Sequence, residues 1–425
     1  MPCHSISLSR LRNAGAAICI AFGATPGVMR AIAVDHSLTV NQVGAPTAQA
    51  SQRRLVFENL VYTGGIRLPS AHNNGDSFAG GGQAVAFNPA GPTLFISSVA
   101  GRVAEVTIPT PSVNADAKKL PAAAYLQGFA DPTEGRVKEV ASGGVLISSL
   151  LVEAGRLYGT ASVYYDANNA QRVSHFSRSL RLSEPSFQGW TQVWESGKSG
   201  FVAGSLAAIP LDWRKQLGGA MVSGQCCVPI ISRTSWGPAA FSFDPSAIGR
   251  PIATASPLLY YTAEHPTLGS WGASNEGFGD STELGGLVIV NGTRTALYFG
   301  RNGIGEACYG AGTAAKSLVG TLSSDGAKYC YDPTSSYKGT HAYPYRYQIW
   351  AYDLTDFAAV KKGGKRPWQV VPYAIWPLEF PTPEPRTVIG GVGYDPLHQT
   401  IYVAQRHADR DDYESRPVIH TFRIQ

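Results

Sequence analysis

Three acidic residues stand just before segments that are predicted to be strands, where they could support acid–base chemistry. Asp76 precedes the first of a series of apolar strands, and Asp280 and Glu283 precede the fourth. Hydrolysis of a glycosidic bond generally needs two carboxyl groups roughly 5–10 Å apart, one of them with a raised pKa. The sequence therefore offers Asp76 with either Asp280 or Glu283 as a catalytic pair. The alternative is that each carboxylate only caps a turn.

A second set of residues could bind a ligand without transforming it. Segment 301–347 carries seven tyrosines together with a histidine and two cysteines. Aromatic faces rimmed by polar groups suit sugars, whereas the alternative is that these tyrosines only pack the segment onto the rest of the fold. With two further polar loops, this segment supplies the candidate ligand-binding residues His72, Asn74, Tyr309, Tyr331, His341, Tyr343, Arg406 and His407.

The elements that must position these residues repeat along the chain. Residues 86–98 (AFNPAGPTLFISS) and 393–405 (GYDPLHQTIYVAQ) align without a gap, and each is typical of two strands joined by an Asx-Pro turn. Pairs of small residues precede five such units, where glycine allows backbones to approach closely. These pairs are Gly81-Gly82, Gly143-Gly144, Gly204-Ser205, Gly285-Gly286 and Gly390-Gly391.

Five units of up to four antiparallel strands are typical of an all-β β-propeller. The chain ends two strands after its last Gly-Gly strand, so a strand from Leu55 is expected to complete the last blade and close the ring. The sequence thus resembles the secreted five-bladed β-propeller class over residues 55–425. A sixth blade, or a β-sandwich with coincidental glycine pairs, remains the alternative.

The resemblance also implies where ligands bind. In propellers, the loops that lead into the innermost strands share one face with the loops between the second and third strands, and the candidate residues fall on these loops. Five-bladed furanosidase-type glycosidases place acids beside the inner strands of successive blades. This sequence departs from that arrangement, because its third unit begins with SGKSGFVAGS (196–205), which contains no acid.

The composition excludes several classes of protein. Charged residues are 15% of the chain and glycine is 47 of 425 residues, against roughly 25% and 7% in an average protein, which disfavours coiled coils and helical bundles. The net charge of +5 falls to +2 without the first 33 residues, since 32 basic and 30 acidic residues remain. A nearly neutral chain without a basic run gives no indication of nucleic-acid binding.

The N-terminal region has the pattern of an export signal. Arg10 and Arg12 precede an apolar stretch over 14–24, and small residues follow at 31–33. We therefore expect a signal peptide over 1–33, a flexible lead-in over 34–54 and a secreted or periplasmic protein. The apolar stretch is shorter than the ~20 residues that span a bilayer, so no transmembrane segment is expected.

The remaining cysteines of an exported chain are expected to form disulfides. A bond between Cys308 and Cys330 would staple an insertion at about 301–347, while adjacent Cys226 and Cys227 could form a vicinal bond or pair elsewhere. No metal site or cofactor is predicted, although the oxygen-rich segments 73–76 and 409–412 leave Ca²⁺ as a minor hypothesis.

These patterns lead to a functional expectation and two alternatives. The expectation is an exported propeller that binds a glycan, or another small-molecule ligand outside the cytoplasm, on its loop-rich face. The first alternative is a glycoside hydrolase-like enzyme that uses the paired carboxylates at the channel mouth. The second is a scaffold for protein interactions at the cell envelope.

Overall fold

The computed structural model describes residues 53–226, 232–272 and 276–425. This part of the chain is an all-β fold, as expected, with five sheets of four or five strands and one sheet of three. Its two α-helices are short connections, α1 (Leu211–Leu217) and α2 (Leu354–Lys361). The N-terminal strand β1 covers Leu60–Arg67, so it begins five residues later than the sequence suggests, because Phe57–Asn59 form a 3₁₀ turn.

The first three sheets follow one another along the chain. The first consists of β2 (Val85–Asn88), β3 (Thr93–Ser97), β4 (Val103–Thr107) and β5 (Tyr125–Ala130). The second consists of β6 (Val145–Glu153), β7 (Arg156–Val163), β8 (His175–Ser179) and β9 (Gln188–Val193). The third consists of β10 (Leu206–Ala208), β11 (Met221–Ser223), β12 (Ala240–Phe243) and β14 (Ala255–Leu259), whereas β13 (Ile252–Ala253) joins β9.

The last two sheets contain the longest strands. The fourth consists of β15 (Glu283–Ile289), β16 (Thr295–Gly303), β20 (Tyr345–Asp353) and β21 (Ala374–Leu378). Between β16 and β20 lies the insertion sheet, which consists of β17 (Cys308–Thr313), β18 (Tyr329–Tyr331) and β19 (Lys338–His341). The fifth sheet consists of β22 (Ile389–Asp395), β23 (Thr400–Arg410) and β24 (Ser415–Ile424), with β1 antiparallel to β24 as its outer strand.

The first strands of the five sheets lie side by side. Each of β2, β6, β10, β15 and β22 contacts at least two others of the same set, and all five line one cavity of about 200 Å³ near their C-terminal ends. The small-residue pairs explain part of this approach: a Cβ on Gly390 would lie 2.0 Å from the carbonyl oxygen of Gly82, and one on Gly285 would lie 2.1 Å from that of Gly390. No larger residue fits at these positions.

The apolar core lies between neighbouring sheets. Strands β3, β12 and β16 are buried along their whole length apart from Arg301 on β16, which is partly buried. The largest clusters join the third sheet to the fourth and the fourth to the fifth. This packing holds the first strands rigidly enough to fix the loops at their N-terminal ends, where most of the candidate residues lie.

Candidate functional site

A polar cleft of about 510 Å³ opens at the N-terminal end of β15. The insertion forms one wall, and the segments that follow β7 and precede β22 form the other. We call it the insertion cleft. Its lining residues include Tyr164, Glu283, Arg301, Asp332, Tyr337, Lys338, His341, Tyr345, Arg386 and the hydroxyl-bearing residues Thr334, Ser335, Ser336 and Thr340.

An ion pair between neighbouring strands forms the base of the cleft. Glu283 and Arg301 are register partners on β15 and β16, and Glu283 Oε1 lies 2.8 Å from Arg301 Nη2. The side chain of Glu283 is 39% exposed and that of Arg301 only 15%, so the carboxylate is the more accessible partner. The guanidinium also lies 4.4 Å from the ring centre of Tyr345. Burial lowers the pKa of Arg301, but the charge and hydrogen bond of Glu283, together with Tyr345 and Asp332, outweigh it and raise the pKa overall.

Asp332 organises the insertion wall of the cleft. Its Oδ1 accepts hydrogen bonds from the backbone N–H and hydroxyl of Thr334, at 2.8 and 2.7 Å. Its Oδ2 lies 2.8 Å from His341 Nδ1 and accepts from Tyr345 Oη at 2.7 Å. Burial raises the pKa of Asp332, but these hydrogen bonds outweigh it and hold the pKa well below its usual range. Both oxygens are occupied, which makes Asp332 a residue that positions others.

The opposite wall contributes an aromatic ring and a cation. Tyr164 follows β7 and is 51% exposed, and burial together with the nearby charge of Glu283 raises its pKa. Arg386 precedes β22, and its backbone carbonyl accepts a hydrogen bond from Arg301 Nη1 at 3.0 Å. Residues from four separate parts of the chain therefore meet around Glu283.

The structure brings two of the sequence-predicted residues to the cleft and others close to it. Glu283 and His341 line the cleft. Arg406 lies near enough to Glu283 for their charges to interact. Tyr331 and Tyr343 pack within the insertion, with ring centres 5.6 Å apart. Tyr309 is 66% exposed on β17 and does not line the cleft.

The other two candidate acids do not line the insertion cleft. Both carboxylate oxygens of Asp280 accept from the backbone N–H of Gly272, at 3.1 and 3.0 Å, and burial raises the pKa of this carboxyl. Asp76 accepts hydrogen bonds from Ser98 Oγ at 2.6 Å and from the N–H of Ser77 at 2.8 Å. These contacts are those of turn residues.

The remaining candidates are tied to the first and fifth sheets. His72 Nε2 lies 3.6 Å from Glu414 Oε1, and Asn74 donates to the carbonyl of Phe129 at 3.3 Å. His407 Nδ1 lies 2.8 Å from Ser415 Oγ, and neither His72, Asn74 nor His407 lines the cleft. Sequence reasoning did not select Tyr164 or Asp332, because nothing in their local sequence distinguishes them from ordinary loop residues. Tyr345 belongs to the tyrosine-rich segment, but neither it nor Arg386 was chosen as a ligand-binding residue.

The cysteines follow the sequence-based prediction where the structure describes them. Cys308 and Cys330 form a disulfide with Cα atoms 5.7 Å apart, which confirms the predicted bond. Cys226 is disulfide-bonded, and Cys227, the partner in the hypothesis of a vicinal bond, lies outside the described residues.

The acidic segments proposed for Ca²⁺ use their carboxylates in other ways. Asp409 is fully buried and pairs with Lys118 at 2.6 Å and Arg67 at 3.0 Å, and Asp411 pairs with Arg416 at 2.8 Å. No group of three or more His, Cys, Asp or Glu residues that could hold a metal ion occurs within the described ranges. These ion pairs leave the Ca²⁺ hypothesis without support.

Among the described residues, no helix is long and apolar enough to cross a membrane.

Solved structures similar to this chain include enzymes that act on glycans. One of them is 13% identical to this chain, with a TM-score of 0.43, and the match covers 87% of this chain and 96% of that chain. It is described as a member of the GH130 family of mannoside phosphorylases, which contains glycoside hydrolases that target β-1,2-mannosidic linkages in Candida mannan. A GH43 endo-arabinanase from Bacillus licheniformis is 11% identical (TM-score 0.40; 82% and 94%). An arabinanase from Bacillus subtilis is 11% identical (TM-score 0.41; 83% and 95%). No protein-family model and no curated protein matches the chain.

Proposed function

We propose that the five large sheets are the blades of a five-bladed β-propeller that β1 closes. Three observations support this arrangement. The first strands contact one another in a cyclic order and line a common cavity. Gly82, Gly285 and Gly390 allow the closest of these approaches. The N-terminal strand is the outer strand of the sheet that contains the C-terminus, as expected for a ring fastened by its own ends.

We further propose that the protein is a glycoside hydrolase-like enzyme and that the insertion cleft is its active site. The observation that carries this proposal is the position of Glu283, an accessible carboxylate at the base of a polar cleft, three residues after a carboxyl group whose pKa burial raises. A pair of carboxyl groups whose environments differ in this way is typical of sites that need one acid and one carboxylate. The cleft has the volume of an ordinary small-molecule site.

We assign the two roles to Glu283, which lines the cleft, and to Asp280, which precedes it by three residues in the chain and does not line the cleft. A protonated carboxyl donates its proton to the leaving oxygen, while a carboxylate attacks the anomeric carbon or activates a water for that attack. Asp280 suits the first role because of its raised pKa, and Glu283 suits the second because Arg301 holds it in place. Asp332 is fully buried beneath its hydrogen-bond partners, and Glu384 is buried against Arg410, so neither is free to act. Asp76, which precedes the first sheet, remains the other candidate acid.

A second candidate function is glycan binding without turnover. Tyr337 is 82% exposed and Tyr164 is 51% exposed, and both line the cleft beside four hydroxyl-bearing residues. Exposed rings can stack on sugar faces, and the hydroxyl groups can bind those of a sugar. Nothing in the contacts described above favours the alternative of a scaffold for protein partners.

The test is release of oligosaccharides from a panel of polysaccharides, measured by mass spectrometry. Wild-type protein is expected to release product, and Glu283→Gln is expected to lower the rate at least about a hundredfold, because an amide can neither attack nor activate water. The matched control is Glu153→Gln, which removes a carboxylate of similar exposure from an ion pair with Arg214 at the other end of the first strands.

The outcomes separate the two functions. Retained turnover in Glu283→Gln would rule out the proposed role of this residue, and saturable binding without product in the wild type would favour the second function. Asp280→Asn and Asp76→Asn identify the acid in the same assay, since only the variant of the acid itself should lose activity toward substrates with poor leaving groups.

Finally, we propose that the protein is exported. The N-terminal pattern and the Cys308–Cys330 bond support this location, because disulfides persist in oxidising compartments. Cell fractionation with intact mass measurement tests it: export predicts a product shortened near residue 33 outside the cytoplasm.

A further inference from the structure

Four arginines from neighbouring segments gather beside the insertion cleft. Arg301 lies on β16, Arg386 precedes β22, and Arg406 and Arg410 lie on the last half of β23. Backbone contacts hold these segments together: Arg301 Nη1 donates to the carbonyl of Arg386, and the N–H of Arg406 donates to the carbonyl of Val388. Their charges therefore act on the same small region.

Only two of the four arginines have a carboxylate partner among the described residues. Arg301 pairs with Glu283, and Arg410 pairs with the fully buried carboxylate of Glu384. The two remaining guanidinium groups leave this region with more positive than negative charge. A buried or half-buried charge without a counter-ion is costly, so the surplus points to a charge that a ligand would supply.

Arg406 is held in place by neutral groups alone. Its guanidinium donates to the carbonyls of Gly80 at 2.6 Å and Gly81 at 3.2 Å and to Gln83 Oε1 at 3.0 Å. These acceptors fix its position but do not cancel its charge. Burial lowers its pKa, the charge of Glu283 opposes this, and the nearby charge of Arg386 adds to the lowering.

Arg386 is the accessible member of the group. It is exposed, it lines the insertion cleft, and its guanidinium makes no hydrogen bond or ion pair with any residue in the described ranges. The other two cations that line the cleft already have carboxylate partners. Arg301 pairs with Glu283 at 2.8 Å, and Lys338 pairs with Asp325 at 3.3 Å. Arg386 is therefore available to a ligand.

The imidazole of His407 lies in the same positive potential. Burial, followed by the charges of Arg406, Arg386 and Arg410, lowers the pKa of its imidazole to about 4. Burial makes the largest contribution to keeping this histidine neutral, and the three arginines add to it, as is expected in a region where an added anion is favourable.

We infer that the ligand of the insertion cleft is an acidic glycan, whose anionic group binds Arg386 within the field of Arg406. This inference rests on the proposed function of the cleft and adds the substrate class. A guanidinium binds a carboxylate or sulfate through two parallel hydrogen bonds, so a uronic acid or a sulfated sugar supplies the matching group. The hydroxyl groups and exposed tyrosines of the cleft contact the neutral part of the sugar.

The experiment compares polymers that differ only in charge. Binding and product release are measured with polygalacturonate and its methyl ester, and with dextran sulfate and dextran. The wild type should prefer one charged polymer over its neutral form, and Arg386→Gln should weaken the interaction with the charged polymer by about ten- to a hundredfold and reduce or abolish the preference. The pair that shows the effect distinguishes carboxylate from sulfate.

The control is Arg423→Gln, which removes an exposed arginine from β24 of the same sheet, near the C-terminus of the chain. It lowers the net charge equally and should leave the preference intact. Equal use of charged and neutral polymers, or equal losses in both variants, would overturn the acidic-glycan inference while the proposed function stands. Failure to bind or cleave any polymer would instead count against the proposed function.

Discussion

At the scale of single residues, Asp332 connects the parts of the insertion wall. One carboxylate joins Thr334, His341 and Tyr345, and Tyr345 in turn lies over Arg301. His341 Nε2 also lies 3.0 Å from the carbonyl of Tyr337, so its ring is held on both sides. The shape of the cleft therefore depends on a residue that does not need to touch the ligand.

Replacement of this carboxylate should destabilise the protein in a pH-dependent way. The pKa of Asp332 is lower in the folded protein than in the unfolded chain, so its contribution is present above the unfolded value of about 4 and is lost as the pH falls through the folded value. Asp332→Asn should lower the free energy of unfolding by about 1–3 kcal/mol at neutral pH. Thermal unfolding between pH 7 and pH 3 measures the change.

The control for this experiment is Asp212→Asn, at an exposed position in the first turn of α1. It should change stability little at any pH, because the structure gives its carboxylate no hydrogen bond. A difference between wild type and Asp332→Asn that stayed constant down to pH 3 would contradict the role assigned to the ionised group.

At the scale of elements, the insertion sheet is too small to be stable alone. Its strands have three to six residues, and a sheet of this size needs additional support. The Cys308–Cys330 bond joins β17 to β18 across a separation of 22 residues, which corresponds to about 3 kcal/mol in the chain-entropy treatment. The bond therefore stabilises one wall of the cleft and not the five large sheets.

Removal of the bond should loosen this wall selectively. In the double variant Cys308→Ser and Cys330→Ser, protease cleavage within 304–344 should become at least about tenfold faster, because local opening exposes the segment. Circular dichroism of the large sheets should remain unchanged. Reduction of the wild type should reproduce the effect, and reductant should not change the double variant. Cleavage at the wild-type rate would show that packing alone holds the insertion.

At the scale of the whole molecule, the N-terminal segment ties the fourth sheet to the fifth. The N–H of Leu55 donates to Thr295 Oγ1 at 3.0 Å, and its carbonyl accepts from Tyr373 Oη at 2.9 Å. Five residues later β1 begins to pair with β24. Leu55 and Ile66 are fully buried, so this segment contributes apolar area to the interface as well as hydrogen bonds.

Loss of the segment should therefore weaken the entire fold. A chain that begins at Leu68 lacks β1 and the buried side chains of Leu55, Leu60 and Ile66, each worth about 1.5–3 kcal/mol, against a total stability of about 5–15 kcal/mol. We expect no cooperative thermal transition near that of a chain that begins at Arg53. A synthetic peptide of residues 53–67 should restore it. Identical transitions in the two chains would show that β1 is dispensable.

The fold was more predictable from the sequence than the site. The glycine pairs marked the beginnings of the sheets, because the backbones at Gly82, Gly285 and Gly390 approach one another too closely for a side chain. Such a close approach requires glycine, so the residue type alone indicates it. The cysteine spacing likewise predicted a bond. The cleft could not be predicted, since Tyr164, Asp332 and Arg386 lie in three different units and meet only through tertiary structure. Of the three candidate acids, only Glu283 lines the cleft.

The pairing of β1 with β24 fixes the order in which the molecule can be completed. The hydroxyl of Thr63 binds the carbonyl of Thr421, 358 positions later in the chain, so this contact joins the first strand of the described chain to its last. Such pairings slow folding, because a long loop must close before they contribute. Until β24 has formed, β1 and β23 lack the neighbour that they share and expose unpaired edges. A chain of this protein in which β24 has not yet paired is therefore the form most prone to aggregate.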